Sequence, residues 1–229
     1  MAHAVTDRTV AILINSPNNP TGAVYERCAL ERIIEICRKN DLWLISDEAY
    51  AAFVYGDTPF TRLFDFPEIR SQLIVVRSFS KTYGMTGFRV GYVAAAQDMI
   101  GSLTTVHGHL TGNVCTFAQH GALAAIDTPL DALEHRRRQF QKRRDLAVRM
   151  GGELFDLTVP DGAFYLFPSV AGYQERYGDD QAFAQYLLET ANVAVVLVAF
   201  FGASGHIRIS FATGTERLSE GLQRIKDVL

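Results

Sequence analysis

Hydrophobic positions fall in short unbroken runs through the first hundred residues and recur at helical spacing further on. Val10-Ala11-Ile12-Leu13-Ile14 is a β-branched run that ends in the polar turn Asn15-Ser16-Pro17-Asn18-Asn19-Pro20-Thr21-Gly22, so it predicts a buried strand followed by a loop. Leu30, Ile33, Ile34 and Cys37 then repeat at the helical period, predicting a helix that ends near Asn40. Three further runs predict strands: Leu42 to Ser46, Leu73 to Arg77 and Val90 to Ala94. Strands apolar along their whole length and separated by helices predict an α/β fold with a mainly parallel sheet covered on both faces by helices. In such sheets ligands sit at the carboxyl ends of the strands. The polar groups at Asn19, Asp47 and Ser78 to Lys81 each follow a strand and therefore converge on one edge of the sheet.

Beyond Asp98 the pattern turns helical, with an Ala-rich helix over 117–126 and a long one over 130–150. The cluster Arg136, Arg137, Arg138, Lys142, Arg143 and Arg144 on the long helix reads as a solvated face alternating with Phe140, Leu146 and Val148. From Gly151 the texture changes to short strands over 161–167, 193–197 and 206–211, with helices near 180–190 and 215–228. The organisation predicted is therefore residues 1–130 as a partial large domain, and 131–229 as a connecting helix with a smaller C-terminal α+β domain. No repeat, low-complexity tract or flexible linker interrupts it.

A chain of 229 residues with 48% apolar and 21% charged side chains suits a globular protein with a sizeable core. Its 22 basic and 25 acidic side chains give a net charge of -3, which calls for neither nucleic acid nor an anionic membrane. The longest apolar stretch, 193–201, is short of a membrane span, and the N-terminal residues lack the pattern of a secretory signal. Cys28, Cys37 and Cys115 have no metal-ligand spacing and read as reduced thiols of a cytoplasmic protein.

The chemistry lies in the loops. Ser78-Phe79-Ser80-Lys81 sets a lysine beside two hydroxyls, and Arg89 follows eight positions later, after Thr86-Gly87-Phe88. Serine hydroxyls with an arginine are good phosphate chemistry, and the lysine can form an imine. Asp47 ends a buried run and needs a cationic partner or a capping duty, because an isolated buried charge is costly. Asn18 to Gly22 is at minimum a turn, and Tyr50 at minimum a core aromatic. Arg208, between Ile207 and Ile209, points to the face opposite its apolar neighbours and could fork a carboxylate.

Taken together, Asn18-Asn19-Pro20-Thr21-Gly22, Ser46-Asp47-Glu48-Ala49-Tyr50, Ser78-Phe79-Ser80-Lys81 with Thr86 to Gly91, and Ile207-Arg208-Ile209-Ser210 resemble class I/II, aspartate aminotransferase-like enzymes of fold type I. The resemblance spans essentially the whole chain. It implies pyridoxal 5′-phosphate as cofactor, amino acids and 2-oxo acids as substrates, and a homodimer. It implies Lys81 as the imine-forming residue and proton shuttle, Asp47 on the pyridine nitrogen, and Asn19 and Tyr50 on the phenolic oxygen. Ser78, Ser80 and Arg89 would hold the phosphate, Arg208 the substrate carboxylate together with Asn19, and Ala49 would pack on one ring face. No metal is implied.

The family's chains carry further strands, a glycine-rich phosphate loop and a stacking aromatic upstream of the strand that ends at Asn15. That part is expected to be missing here, leaving the strands at 11–15 and 90–95 as bare apolar edges. The loop 196–202 also lacks the Pro-Gly usual in the family. Two alternatives stay open beside amino transfer: another reaction on the same scaffold, such as elimination, decarboxylation or cyclisation, and a non-catalytic cofactor-binding or oligomerisation domain.

Overall fold

The computed structural model describes residues 1–229, the side chain of Phe200 excepted. The chain forms two compact units, Met1–Pro17 with Val24–Leu133 and Asn18–Ala23 with Glu134–Leu229.

The first unit contains β1 (Ala11–Asn15), α1 (Arg27–Lys39), β2 (Trp43–Asp47), β3 (Leu73–Ser78), the single turn α2 (Phe79–Thr82), β4 (Gly91–Ala95), α3 (Gln97–Leu110) and α4 (Thr116–Ile126). α5 (Leu130–Gly152) begins in this unit and continues into the second. The sheet order is β1-β2-β3-β4, with the first three strands parallel and β4 antiparallel to β3. The register sets Leu13 beside Ile45 and Ile45 beside Ile74.

One face of this sheet is a dense core. Ile12, Ile14, Leu44, Leu73 and Val75 pack with Leu30, Ile33, Ile34 and Cys37 of α1, and with Leu63, Phe66 and Ile69 from the connection between β2 and β3. Burial raises the Cys37 thiol pKa to about 11. The expected cover on both faces is only half realised: Leu13, on the other face of β1, is 66% exposed. The topology explains this. The strand order steps twice in one direction, and with crossovers of the usual right hand α1 and the 63–72 segment land on the same side, where they share one core. β1 and β4 are the outer strands, as the bare edges expected at 11–15 and 90–95 require.

The second unit contains β5 (Tyr165–Leu166), the short α6 (Gln174–Tyr177), α7 (Asp180–Ala191), β6 (Val196–Leu197), β7 (Ile207–Ser210) and α8 (Thr215–Val228). Its sheet is antiparallel, in the order β5-β7-β6. The Asp179 side chain caps α7 by accepting the Ala182 N–H at 2.9 Å. The core is aromatic: Phe183 is 1% exposed, stacks on Tyr173 at 5.2 Å and meets Tyr177 edge-on at 5.6 Å. The strand expected over 161–167 shrinks to two residues, because Ala163 adopts φ 56°, which no extended strand accommodates. The basic cluster of α5 is less solvated than its pattern suggests. Arg137 bonds Glu134 at 2.8 Å, and the Arg144 side chain, paired with Asp145 at 2.7 Å, is only 14% exposed. The segment Asn18–Ala23 is tied into this unit by the Gly162 N–H, which donates to the Gly22 carbonyl at 2.8 Å.

Candidate active site

In the first unit the candidate residues lie where β2 and β3 end. Asp47 closes β2, and its Oδ1 accepts the Ala49 N–H at 3.0 Å. No hydrogen bond reaches its Oδ2 among the described residues, which leaves an acceptor for a protonated ring nitrogen. The Asp47 main-chain carbonyl accepts from Asn15 Nδ2 and the Ser16 N–H, both at 3.1 Å, so the strand end is held by its neighbour. Ser78 closes β3 and is the N-cap of α2, its Oγ accepting the Ser80 N–H at 3.1 Å. A hydroxyl used as an acceptor still has its own proton to donate, for instance to a phosphate oxygen. Lys81 follows on α2, and its Nζ lies 5.9 Å from the centroid of the Tyr50 ring. Arg89, at φ 56°, donates from Nη1 to the Thr86 carbonyl at 3.1 Å and keeps its other donors for an anion. This donor set, with one open carboxylate oxygen, a donating hydroxyl, an amine and a guanidinium, fits pyridoxal 5′-phosphate chemically.

In the second unit Arg208 and Asn19 come together although 189 positions separate them: Arg208 Nη1 donates to Asn19 Oδ1 at 2.7 Å. Asn19 is presented by a turn that Asn18 organises, its Oδ1 accepting from the Thr21 N–H at 3.1 Å and from the Thr21 hydroxyl at 2.8 Å. The Arg208 guanidinium lies 4.5 Å from the Tyr165 ring centroid and 5.8 Å from that of Phe201. Its Nε is buried with no hydrogen-bond partner. A donor left in that state is costly, and an incoming carboxylate would satisfy it.

Four participants were missed as such in the sequence. Tyr165 and Phe201 flank Arg208, and only the pairing of β5 with β7 brings Tyr165 near it. Glu48 and Arg77 form an ion pair beside the Lys81 turn, with Arg77 Nε donating to Glu48 Oε2 at 2.9 Å. Each directly adjoins a candidate residue, and the parallel pairing of two neighbouring strand ends was the signal that could have joined them. Among the described residues no group of three or more His, Cys, Asp or Glu side chains could hold a metal ion. No described helix is long and apolar enough to cross a membrane.

Comparison with known proteins agrees with the site chemistry. The model of the family described as aminotransferase class I and II matches residues 1–225, and the chain belongs to that family. A probable aspartate/prephenate aminotransferase from Aquifex aeolicus is 45% identical over 230 residues, covering 98% of this chain and 58% of that protein. An aromatic aminotransferase structure from Pyrococcus horikoshii superposes with a TM-score of 0.93 at 36% identity, over 99% of this chain and 61% of that one. The aspartate aminotransferase from Thermus thermophilus with maleate gives a TM-score of 0.92 at 34% identity, over 100% of this chain and 59% of that one. The chain thus spans about three fifths of the length of these relatives. The fold is that of the fold-type I aminotransferases, a family of pyridoxal phosphate-dependent enzymes.

Proposed function

We propose that this protein transfers an amino group between an amino acid and a 2-oxo acid, with pyridoxal 5′-phosphate as cofactor. The observation that carries the proposal is the end of the β2–β3 pair. There Lys81 follows the Ser78 cap while Asp47, on the neighbouring strand, keeps one carboxylate oxygen open. When bound, the cofactor supplies an electron sink for the substrate's Cα–H bond. Lys81 Nζ would be the nucleophile that holds the group and the base positioned for the Cα proton. Asp47 Oδ2 would hold the proton on the ring nitrogen, and the Tyr50 hydroxyl would donate to the phenolic oxygen. Ser78, Ser80 and Arg89 would bind the phosphate. Arg208, bonded to Asn19 and flanked by Tyr165, would take the substrate carboxylate in a bidentate fork, and Asn19 would also serve the phenolic oxygen.

Residues 1–130 are read as part of a cofactor-binding large domain, and 131–229 as the connecting helix and small domain. A homodimer working in the cytoplasm completes the proposal. The names of the relatives make aspartate the first amino donor to try.

The test is direct. The purified chain is mixed with pyridoxal phosphate, the visible absorption recorded, and the complex reduced with borohydride and mapped by peptide mass. Label on Lys81, followed by interconversion of the two cofactor forms on adding aspartate and then 2-oxoglutarate, is the expected result. Absence of label on Lys81 overturns the assignment. Label without interconversion favours a non-catalytic cofactor-binding domain. Release of ammonia or carbon dioxide instead would indicate elimination or decarboxylation on the same scaffold.

A further inference from the structure

We propose that Glu48 and Arg77 act as a positioning pair, which sets the spacing between Asp47 and the Ser78–Lys81 turn from the opposite face of the sheet. The proposal rests on the reading of those residues as the cofactor site.

Asp47 is in register with Val76 on the parallel neighbour, and one step further the Glu48 N–H donates to the Val76 carbonyl at 2.9 Å. Side chains alternate along a strand, so Glu48 and Arg77 share the face that also carries Ser46 and Val75, while Asp47 and Ser78 share the other. On the shared face both Nε and Nη2 of Arg77 donate to Glu48 Oε2, the Nε bond being 2.9 Å. The Ser46 hydroxyl donates to Glu48 Oε1 at 3.3 Å. Arg77 is also in register with Tyr92 of β4, on its other neighbour in the sheet. A ladder of polar side chains, Ser46–Glu48–Arg77, therefore joins the ends of β2 and β3 beside the candidate site.

Three features separate this ladder from an ordinary surface ion pair. The Glu48 side chain is only 3% exposed, so its charge has Arg77 as counter-ion and little solvent. Burial works against the Arg77 charge, yet the Glu48 carboxylate outweighs it and raises the guanidinium pKa. The pair is also continuous in sequence with the site, since Asp47 precedes Glu48 and Ser78 follows Arg77. A cavity of about 650 Å³, lined by Glu48, Arg62 and Arg77 together with apolar side chains such as Phe60, Phe79 and Leu133, adjoins the pair. The pair therefore borders open space on one side, and its hydrogen bonds are a direct side-chain link between the two strand ends.

The experiment titrates the full chain with pyridoxal phosphate. It compares wild type with Arg77→Met, Arg77→Lys, Glu48→Gln and the double variant Glu48→Met/Arg77→Met. Cofactor Kd, the pH midpoint of the bound cofactor's visible band and Tm are measured for each. The expected result is a Kd weakened at least tenfold and a displaced pH midpoint in Arg77→Met and Glu48→Gln. Arg77→Lys should recover part of both, because it keeps the charge without the fork. The double variant should regain Tm, because no charge is left buried, and yet keep the weak Kd. If the double variant binds with wild-type Kd and midpoint, the pair is only structural and the proposal falls. Unchanged Kd and midpoint in Arg77→Lys and Glu48→Gln together would also overturn it, and these milder changes keep the test available should Arg77→Met not fold. A wild-type chain that binds no pyridoxal phosphate would instead refute the cofactor reading itself, and the positioning role with it.

Discussion

Gly22→Ala should be among the most disruptive single-methyl changes in the second unit. Gly22 has φ +73°, and a Cβ built there would stand 2.4 Å from Pro160 Cβ and 2.9 Å from the Gly162 carbonyl oxygen. The left-handed backbone alone costs an L-residue about 1–2 kcal/mol. Relieving an overlap of that size requires the 18–23 segment to move off 160–162, an overpacking cost of about 1–3 kcal/mol. The move also weakens the bond from the Gly162 N–H to the Gly22 carbonyl, worth about 0.5–1.5 kcal/mol. The combined loss is then about 2.5–6.5 kcal/mol, or a Tm lowered by roughly 5–25 °C for a chain of this size. Gly56→Ala is the control: its φ is +61°, but nothing lies within 4 Å of the added Cβ, so only the backbone cost of about 1–2 kcal/mol applies. Differential scanning calorimetry on both variants checks the argument. A Gly22→Ala Tm within about 2 °C of the Gly56→Ala value, below the shift expected for 1 kcal/mol, would refute the steric part. The consequence for the site is specific, since the displaced turn carries Asn19 and with it the 2.7 Å bond to Arg208.

Two further outcomes follow from the cores. Cys28 and Cys115 are exposed and Cys37 is fully buried, so Ellman's reagent should titrate two thiols quickly and the third only on unfolding; three fast thiols would contradict the α1 packing. Because the Cys37 pKa is raised in the folded state, its contribution to stability is whole below the ordinary thiol value of 9.0 and is lost as pH rises towards about 11. Cys37→Ala should remove that alkaline slope in urea titrations. Phe183→Ala should cost about 3–5 kcal/mol, because it empties the centre of the aromatic cluster, and a loss under 1 kcal/mol in urea unfolding would mean the cluster collapses to fill the space.

The legible part of this molecule was the part written in local pattern. Leu30, Ile33, Ile34 and Cys37 repeat at the helical period, and α1 spans Arg27–Lys39. The helix expected over 215–228 is α8, Thr215–Val228. The parallel strands were readable because their apolar runs are continuous. β4 runs antiparallel to β3, a direction that apolar periodicity alone does not carry. The shortened strand at 165–166 has a similar origin, since Ala163 at positive φ gives no sign of itself in residue type.

The candidate site divides along the same line. Residues that differ chemically from their surroundings, such as Lys81 after an apolar run or Asp47 at a strand end, stand out from sequence alone. Glu48 and Arg77 do not, because each sits beside a more conspicuous neighbour and 29 positions separate them. Their relation exists only through register: Asp47 pairs with Val76, hence Glu48 meets Arg77. Asn19 and Arg208 were visible singly, yet their contact depends on the 18–23 turn joining the second unit through Gly22 and Gly162. Sequence pattern therefore names reactive groups readily, whereas the groups that aim them are chosen by strand register and close backbone approach. A buried carboxylate next to a conspicuous one is for that reason worth pairing across the sheet before it is read as part of the core.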